Sequence, residues 1–204
     1  DTTLKISNYC KKHGYDLICI GLPKTIDNDL PVTDNCPGFG SVAKYIATST
    51  YEASLDVASM ANSSTKVFLL EVMGRHAGWL AASAGVIRDD KSMPPHLILL
   101  PEVVFNEKRF LSEVKKTVSK YGYCVVVASE GIRDKSNRFI ASSTSKDSFG
   151  HAHLGGVAPK LANIISDKLS YKVHWAVSDY LQRAARHIGS SIDVEQAYAI
   201  GCKA

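Results

Sequence analysis

No apolar run in this sequence is long enough to cross a bilayer as a helix. The longest, such as Cys124-Val125-Val126-Val127-Ala128, have the length of buried strands. No dense Lys/Arg block interleaved with aromatics is present, which argues against a nucleic-acid partner. The opening residues lack the pattern of a signal peptide. The five cysteines, Cys10, Cys19, Cys36, Cys124 and Cys202, are odd in number and none forms C-x-x-C. A disulfide framework is therefore not indicated, and a reducing, cytoplasmic setting is expected. There is no internal repeat and no low-complexity tract.

The 204 residues carry a formal charge of +4 and an ordinary apolar fraction. That is enough chain to bury a sizeable core, and the mild positive charge suits an anionic small molecule. Helical patterns are expected at 4–13, 38–61, 78–86, 107–121, 154–169 and 193–203, the last capped by Ser190 or Ser191. Strands are expected at 15–22, 66–72, 95–100, 123–129 and 171–177. Strands that are apolar throughout and alternate with helices imply parallel βαβ units covered on both faces. The fold class is thus α/β, three layers, with a mainly parallel sheet. Residues 133–153, rich in Ser, Lys, Asp and Gly, read as a long surface loop. The chain starts on a helix with no strand to feed it and ends on another, so a piece of a longer protein is expected.

Four polar clusters fall at the ends of expected strands, where α/β sheets bind ligands. The first is Pro23-Lys24-Thr25-Ile26-Asp27-Asn28-Asp29 behind the apolar run 17–22. Two acids at i, i+2 are poor packing material, since unpaired buried charge is costly. They suit a site where one takes a proton and the other handles a metal or charge. The second is Glu71-Val72-Met73-Gly74-Arg75-His76-Ala77-Gly78, whose glycines let backbone approach a ligand and whose following helix offers N–H groups to an anion. The third is Ser129-Glu130-Gly131, and the fourth runs from Asp179 through Tyr180, Gln182 and Arg183 to Arg186 and His187. Acids, arginines and Glu130 together suit a phosphorylated polyol.

Each cluster has a plainer reading. Asp27 and Asp29 serve as turn residues, Glu71 and Arg75 as a structural ion pair, and His76 as an early helix residue. Glu130 alone reads as a surface acid, and Arg183, Arg186 and His187 as one solvated helical face. His151 and His153 lack further ligands for a metal site, and Trp79 and Trp175 read as packing residues. Recurrence at four strand ends favours the site.

In order and spacing, the segments Gly21 to Asp29 (with T-I-D-N-D), Glu71 to Arg75 (with M-G-R), Ser129-Glu130-Gly131 and Tyr180-Leu181-Gln182-Arg183 resemble the phosphofructokinase family across essentially the whole chain. The resemblance implies Asp27 as general base for the sugar 1-hydroxyl, Thr25 at the transferring phosphoryl group, and Asp29 beside Mg²⁺ and the acceptor. Most of the metal ligands, and a donor-binding Gly-Gly-Asp loop, are expected upstream of Asp1. The resemblance also implies Met73, Gly74 and Arg75 around fructose 6-phosphate, with Arg75 also near the moving phosphoryl group. Glu130 would bind sugar hydroxyls, and Arg183 with Tyr180 the 6-phosphate. Lys66 and His174 stand where the bacterial ATP enzymes have arginines that reach a neighbouring subunit's site, which implies a homo-oligomer of at least two chains. Lysine and histidine grip phosphate less well than arginine. Lys24 resembles the pyrophosphate-using branch, because the bacterial ATP enzymes have glycine there; some ATP-using relatives also carry the lysine.

The implied reaction is phosphoryl transfer from pyrophosphate to fructose 6-phosphate, a step of glycolysis or gluconeogenesis. The alternatives are an ATP-dependent relative, a non-catalytic sugar-phosphate-binding subunit and a Mg²⁺-dependent phosphatase. Residues 1–30 are expected to finish a donor-side domain and 31–204 to form mainly the sugar-phosphate domain, with the last helix a candidate to return to the donor side. Without the donor loop, these 204 residues alone are not expected to transfer phosphate efficiently.

Overall fold

A computed structural model describes residues 2–146 and 152–204. In chain order the elements are α1 (Thr2–Lys12), α2 (Phe39–Met60), β1 (Val67–Val72), α3 (Trp79–Ser83), β2 (Leu97–Leu99), α4 (Glu107–Tyr121) and β3 (Cys124–Ser129). There follow β4 (Ser142–Lys146), β5 (Ala152–Leu154), α5 (Val157–Leu169), β6 (Val173–Val177), α6 (Leu181–Ala184) and α7 (Ser191–Lys203). Single 3-10 turns follow α3 at Ala84–Ile87 and α6 at Arg186–Ile188.

The apolar runs condense into a four-stranded sheet of order β2-β3-β1-β6, parallel at every pairing. Because side chains alternate along a strand, each run feeds two cores. Val67, Leu69, Cys124, Val126 and Ala128 pack with Phe110 and Val114 of α4 and Leu161 and Ile165 of α5. Leu70, Val72 and Val127 pack with Val42 and Ile46 of α2 and Leu80 and Ala81 of α3. The result is the expected three-layer α/β arrangement. The register sets Val72 opposite Ser129 and Glu71 opposite Val177, so β1, β3 and β6 end side by side.

The helix with the most local punctuation matches its expectation best. Asn106 caps α4 by accepting from the Arg109 N–H at 3.0 Å, and Gly122 ends it at φ 85°. Helix α2 starts without such a device: Gly38 has no side chain, and Asp193 of α7 accepts from the Ser41 N–H (2.6 Å) and hydroxyl (2.5 Å). Ser190 stands at the N-cap of α7 but makes no side-chain cap bond.

Several expectations need correction. Residues 15–22 form no strand, because a strand needs a neighbour and none pairs with them among the described residues. Their apolar side chains stay open, with Ile18 at 86% and Ile20 at 56% exposure. The stretch 133–153 is not structureless: β4 lies within it and pairs antiparallel with β5, and the serines and threonine of β4 conceal that strand in the sequence. The helix expected from 154 begins at Val157, after Gly155 and Gly156 at φ 127° and 90°. Trp79 and Trp175 do not pack as expected: they are 57% and 47% exposed, one opening α3 outward and the other on the edge strand β6. Among the described residues no helix is long and apolar enough to cross a membrane.

Candidate active site

The loops leaving β1 and β3 lie backbone to backbone. Gly74 has φ 126°, and a side chain there would strike the Ala77 carbonyl at 2.7 Å. A side chain on Gly131 would meet the Arg75 and Gly74 carbonyls at 2.2 and 2.6 Å. Only glycine permits this approach. Ser129 stitches the two loops, donating its hydroxyl to the Gly74 carbonyl and accepting from the Gly131 N–H at 3.0 Å. From α6, which follows β6, the buried Gln182 accepts from the Met73 N–H (3.3 Å) and donates to the Asp179 carbonyl (2.9 Å). Met73, Gly74, Arg75, Glu130 and the Tyr180–Arg183 turn thus become one rim.

Asp27 joins them electrostatically. Its carboxyl is raised above the usual range by burial and by the Asp29 charge, while Arg75 and Lys24 pull it down. The Thr25 hydroxyl accepts from the Asp27 N–H at 3.1 Å, fixing the local turn. Glu130 is pushed up to about 7 by burial and by Glu71, with Arg75 opposing and Asp27 adding to the rise. It is therefore not the plain surface acid that its isolated position suggests. The shared neighbours show that Lys24, Asp27, Asp29, Arg75 and Glu130 face one region. A cavity of about 300 Å³ is lined by Glu71, Met73, Glu130, Gly155, Asp179 and Tyr180. A second, of about 660 Å³, is lined by Lys24, Ser41, Arg183 and Arg186, and the two share Gln182. The exposed Arg183 guanidinium stacks on the Tyr180 ring at 4.2 Å.

Other expected placements change. Glu71 is no ion-pair partner of Arg75. Its carboxylate accepts from the Gly156 N–H (3.1 Å) and the Ala158 N–H (2.8 Å), capping α5 from β1. The N–H of Gly78, before α3, is not open to an anion, because it donates to Glu102 at 2.7 Å. His76 lies ahead of α3, its Nδ1 2.8 Å from an Arg133 guanidinium nitrogen. Arg186 and His187 leave the helix and sit on the 3-10 turn. Lys66 is at the far end of β1 from this cluster, with its ammonium on the Ala61 carbonyl. His174 is exposed on β6 beside Phe68. Asp1 lies outside the described residues. Among the described residues, no group of three or more His, Cys, Asp or Glu side chains is placed to hold a metal ion by itself. His151 lies outside the described residues, as does the His153 side chain. The roles of Glu71 and Gln182 escape sequence reasoning, because each acts on a backbone group 85 or more residues away.

The site is built from the four segments that carried the sequence resemblance. A family model, Phosphofructokinase, matches residues 1–204. The chain is 59% identical over 204 residues to the pyrophosphate–fructose 6-phosphate 1-phosphotransferase of Halomonas elongata, covering all of this chain and 49% of that protein. It is 61% identical over 201 residues to the protein of the same name from Methylococcus capsulatus, covering 98% and 48%. The crystal structure of a pyrophosphate-dependent phosphofructokinase from Marinobacter aquaeolei superposes with a TM-score of 0.82 at 57% identity, over 98% of this chain and 46% of that one. The chain spans about half the length of the curated relatives it matches. Matched over its full length, with the motif segments gathered on one rim of the sheet, this chain belongs to the phosphofructokinase family.

Proposed function

We propose that the protein carrying this chain transfers a phosphoryl group from pyrophosphate to the 1-hydroxyl of fructose 6-phosphate. The observation that carries this reading is Asp27: a half-buried carboxylate made more basic by burial and by Asp29, yet held among cationic side chains. Such a group takes the proton of an attacking hydroxyl, while Arg75 and Lys24 offset charge on the phosphoryl group and the donor. Thr25 keeps the Asp27 turn in shape and borders the transferring group. Glu130 takes up sugar hydroxyls beside Met73 and Gly74, and Arg183 with Tyr180 binds the 6-phosphate. The names of the relatives at 59% and 61% identity favour pyrophosphate over ATP.

Mg²⁺ fits this arrangement. Asp29 is exposed and its charge raises Asp27, so two acids stand together with no cage of protein ligands around them among the described residues. Magnesium is commonly held this way, through one or two carboxylates plus substrate phosphates. Asp29 would hold it, and it would supply charge neutralisation on the donor. A cytoplasmic location accords with the five free cysteines.

The test is a coupled assay of the full-length protein with each donor. Turnover with pyrophosphate is expected, and Asp27→Ser should lower kcat by about 10² to 10⁴ with little change in fructose 6-phosphate binding. Turnover with ATP alone would reassign the donor, and near-normal kcat in Asp27→Ser would remove Asp27 from the base role.

A further inference from the structure

Between the two acids, Asn28 has φ 57°, in the left-handed region. Both ends of its side-chain amide are bonded. The Nδ2 group donates to the Asp34 carbonyl at 3.1 Å, and Oδ1 accepts from the Cys36 N–H at 2.8 Å. Cys36 is 1% exposed, and its carbonyl accepts from the N–H of Phe39, the first residue of α2, at 3.0 Å. One short amide therefore bridges the acid segment to the start of a 22-residue helix.

We propose that Asn28 is a positioning residue: its amide fastens the Asp27–Asp29 segment to the start of α2 and so holds the Asp27 carboxylate in its working place. The proposal rests on the reading of Asp27 as the base. The position asks for three properties at once: tolerance of the left-handed backbone, one donor and one acceptor. Asparagine supplies all three. Glycine supplies the backbone alone. Aspartate supplies the acceptor but no donor, and sets a third negative charge between two others. Glutamine is a methylene too long. The fastening is firm at its far end, because the start of α2 is itself bonded to α7 through Ser41 and Asp193. A base displaced by about 1 Å loses on the order of a hundredfold in rate, so such a clamp is felt in kcat.

The experiment compares parent, Asn28→Gly and Asn28→Asp in the full-length protein, reading kcat, KM for fructose 6-phosphate, and hydrogen exchange at the Cys36 amide. For Asn28→Gly, which keeps the backbone conformation, kcat should fall about ten- to a hundredfold with KM within about threefold. Protection of the Cys36 amide should be lost. Asn28→Asp keeps an acceptor for Cys36, so protection should persist in part while kcat still falls. A kcat within about twofold of the parent in either folded variant overturns the proposal, as does unchanged Cys36 protection in Asn28→Gly. A parent with no turnover on either donor would instead defeat the proposed function, and hydrogen exchange would still decide whether the clamp exists.

Discussion

The Glu71 carboxylate is 1% exposed, and two backbone N–H groups at the start of α5 share it. Burial raises its carboxyl, while bonds from the α5 turn and the positive end of that helix favour the charge. Glu71→Leu should leave two buried donors unsatisfied and cost about 2 kcal/mol, whereas Glu71→Gln keeps an acceptor and should cost about half as much. Urea unfolding checks this; a leucine variant as stable as the parent would show that the cap does not matter. At this scale the sequence is legible where chemistry needs a special residue. Gly74 and Gly131 could be singled out because polar, glycine-bearing turns follow apolar runs. The partner of Glu71 could not, since an acid at a strand end looks the same whether it binds sugar, arginine or a helix terminus.

Between elements, the β2 edge is completed by a side chain. The His96 backbone N–H donates to the Val125 carbonyl at 2.9 Å, and the Val125 N–H donates back to His96 Nδ1 at 3.0 Å. Nδ1 can accept only when unprotonated, and burial lowers this imidazole from 6.5 to about 4. Because the folded pKa lies below the unfolded one, the unfolded chain binds more protons between these values. The contribution of His96 is therefore whole above pH 6.5 and is lost as pH falls toward 4. His96→Asn keeps an acceptor without titrating, and denaturant midpoints at pH 7 and pH 5 should fall less for it than for the parent. Equal falls would remove His96 from the account. Strands β1 and β3 were legible because a strand buried on both faces is apolar without interruption. Residues 15–22 carry the same pattern yet form no strand, since pairing depends on a neighbour that local pattern does not reveal. Residues 142–146 show the converse, a strand written in serine, threonine and lysine that pairs with the three-residue β5.

For the whole molecule, Lys66 and His174 lie on the sheet away from the cluster at the ends of β1, β3 and β6. In the family resemblance it is arginines at these positions, not lysine or histidine, that reach a second subunit's sugar phosphate. If Lys66 does the same, Lys66→Ala should raise KM for fructose 6-phosphate about three- to tenfold with kcat nearly unchanged, as loss of a peripheral phosphate contact does. The effect should appear only where sedimentation shows an oligomer; an unchanged KM in an oligomer would exclude the contact. The helices around the site have one more consequence. The N-terminal ends of α2 and α5 are already engaged by Asp193 and Glu71, and the N–H ahead of α3 by Glu102. Helix termini are a common berth for phosphate, but at these three places protein carboxylates already hold the N–H groups. On the proposed function, an arriving anion would rely at those places on guanidinium and ammonium groups on flexible stems, at Lys24, Arg75 and Arg183. On that same function, the choice of phosphate donor would then rest on a side chain such as Lys24, and exchanging it would leave every helix where it is.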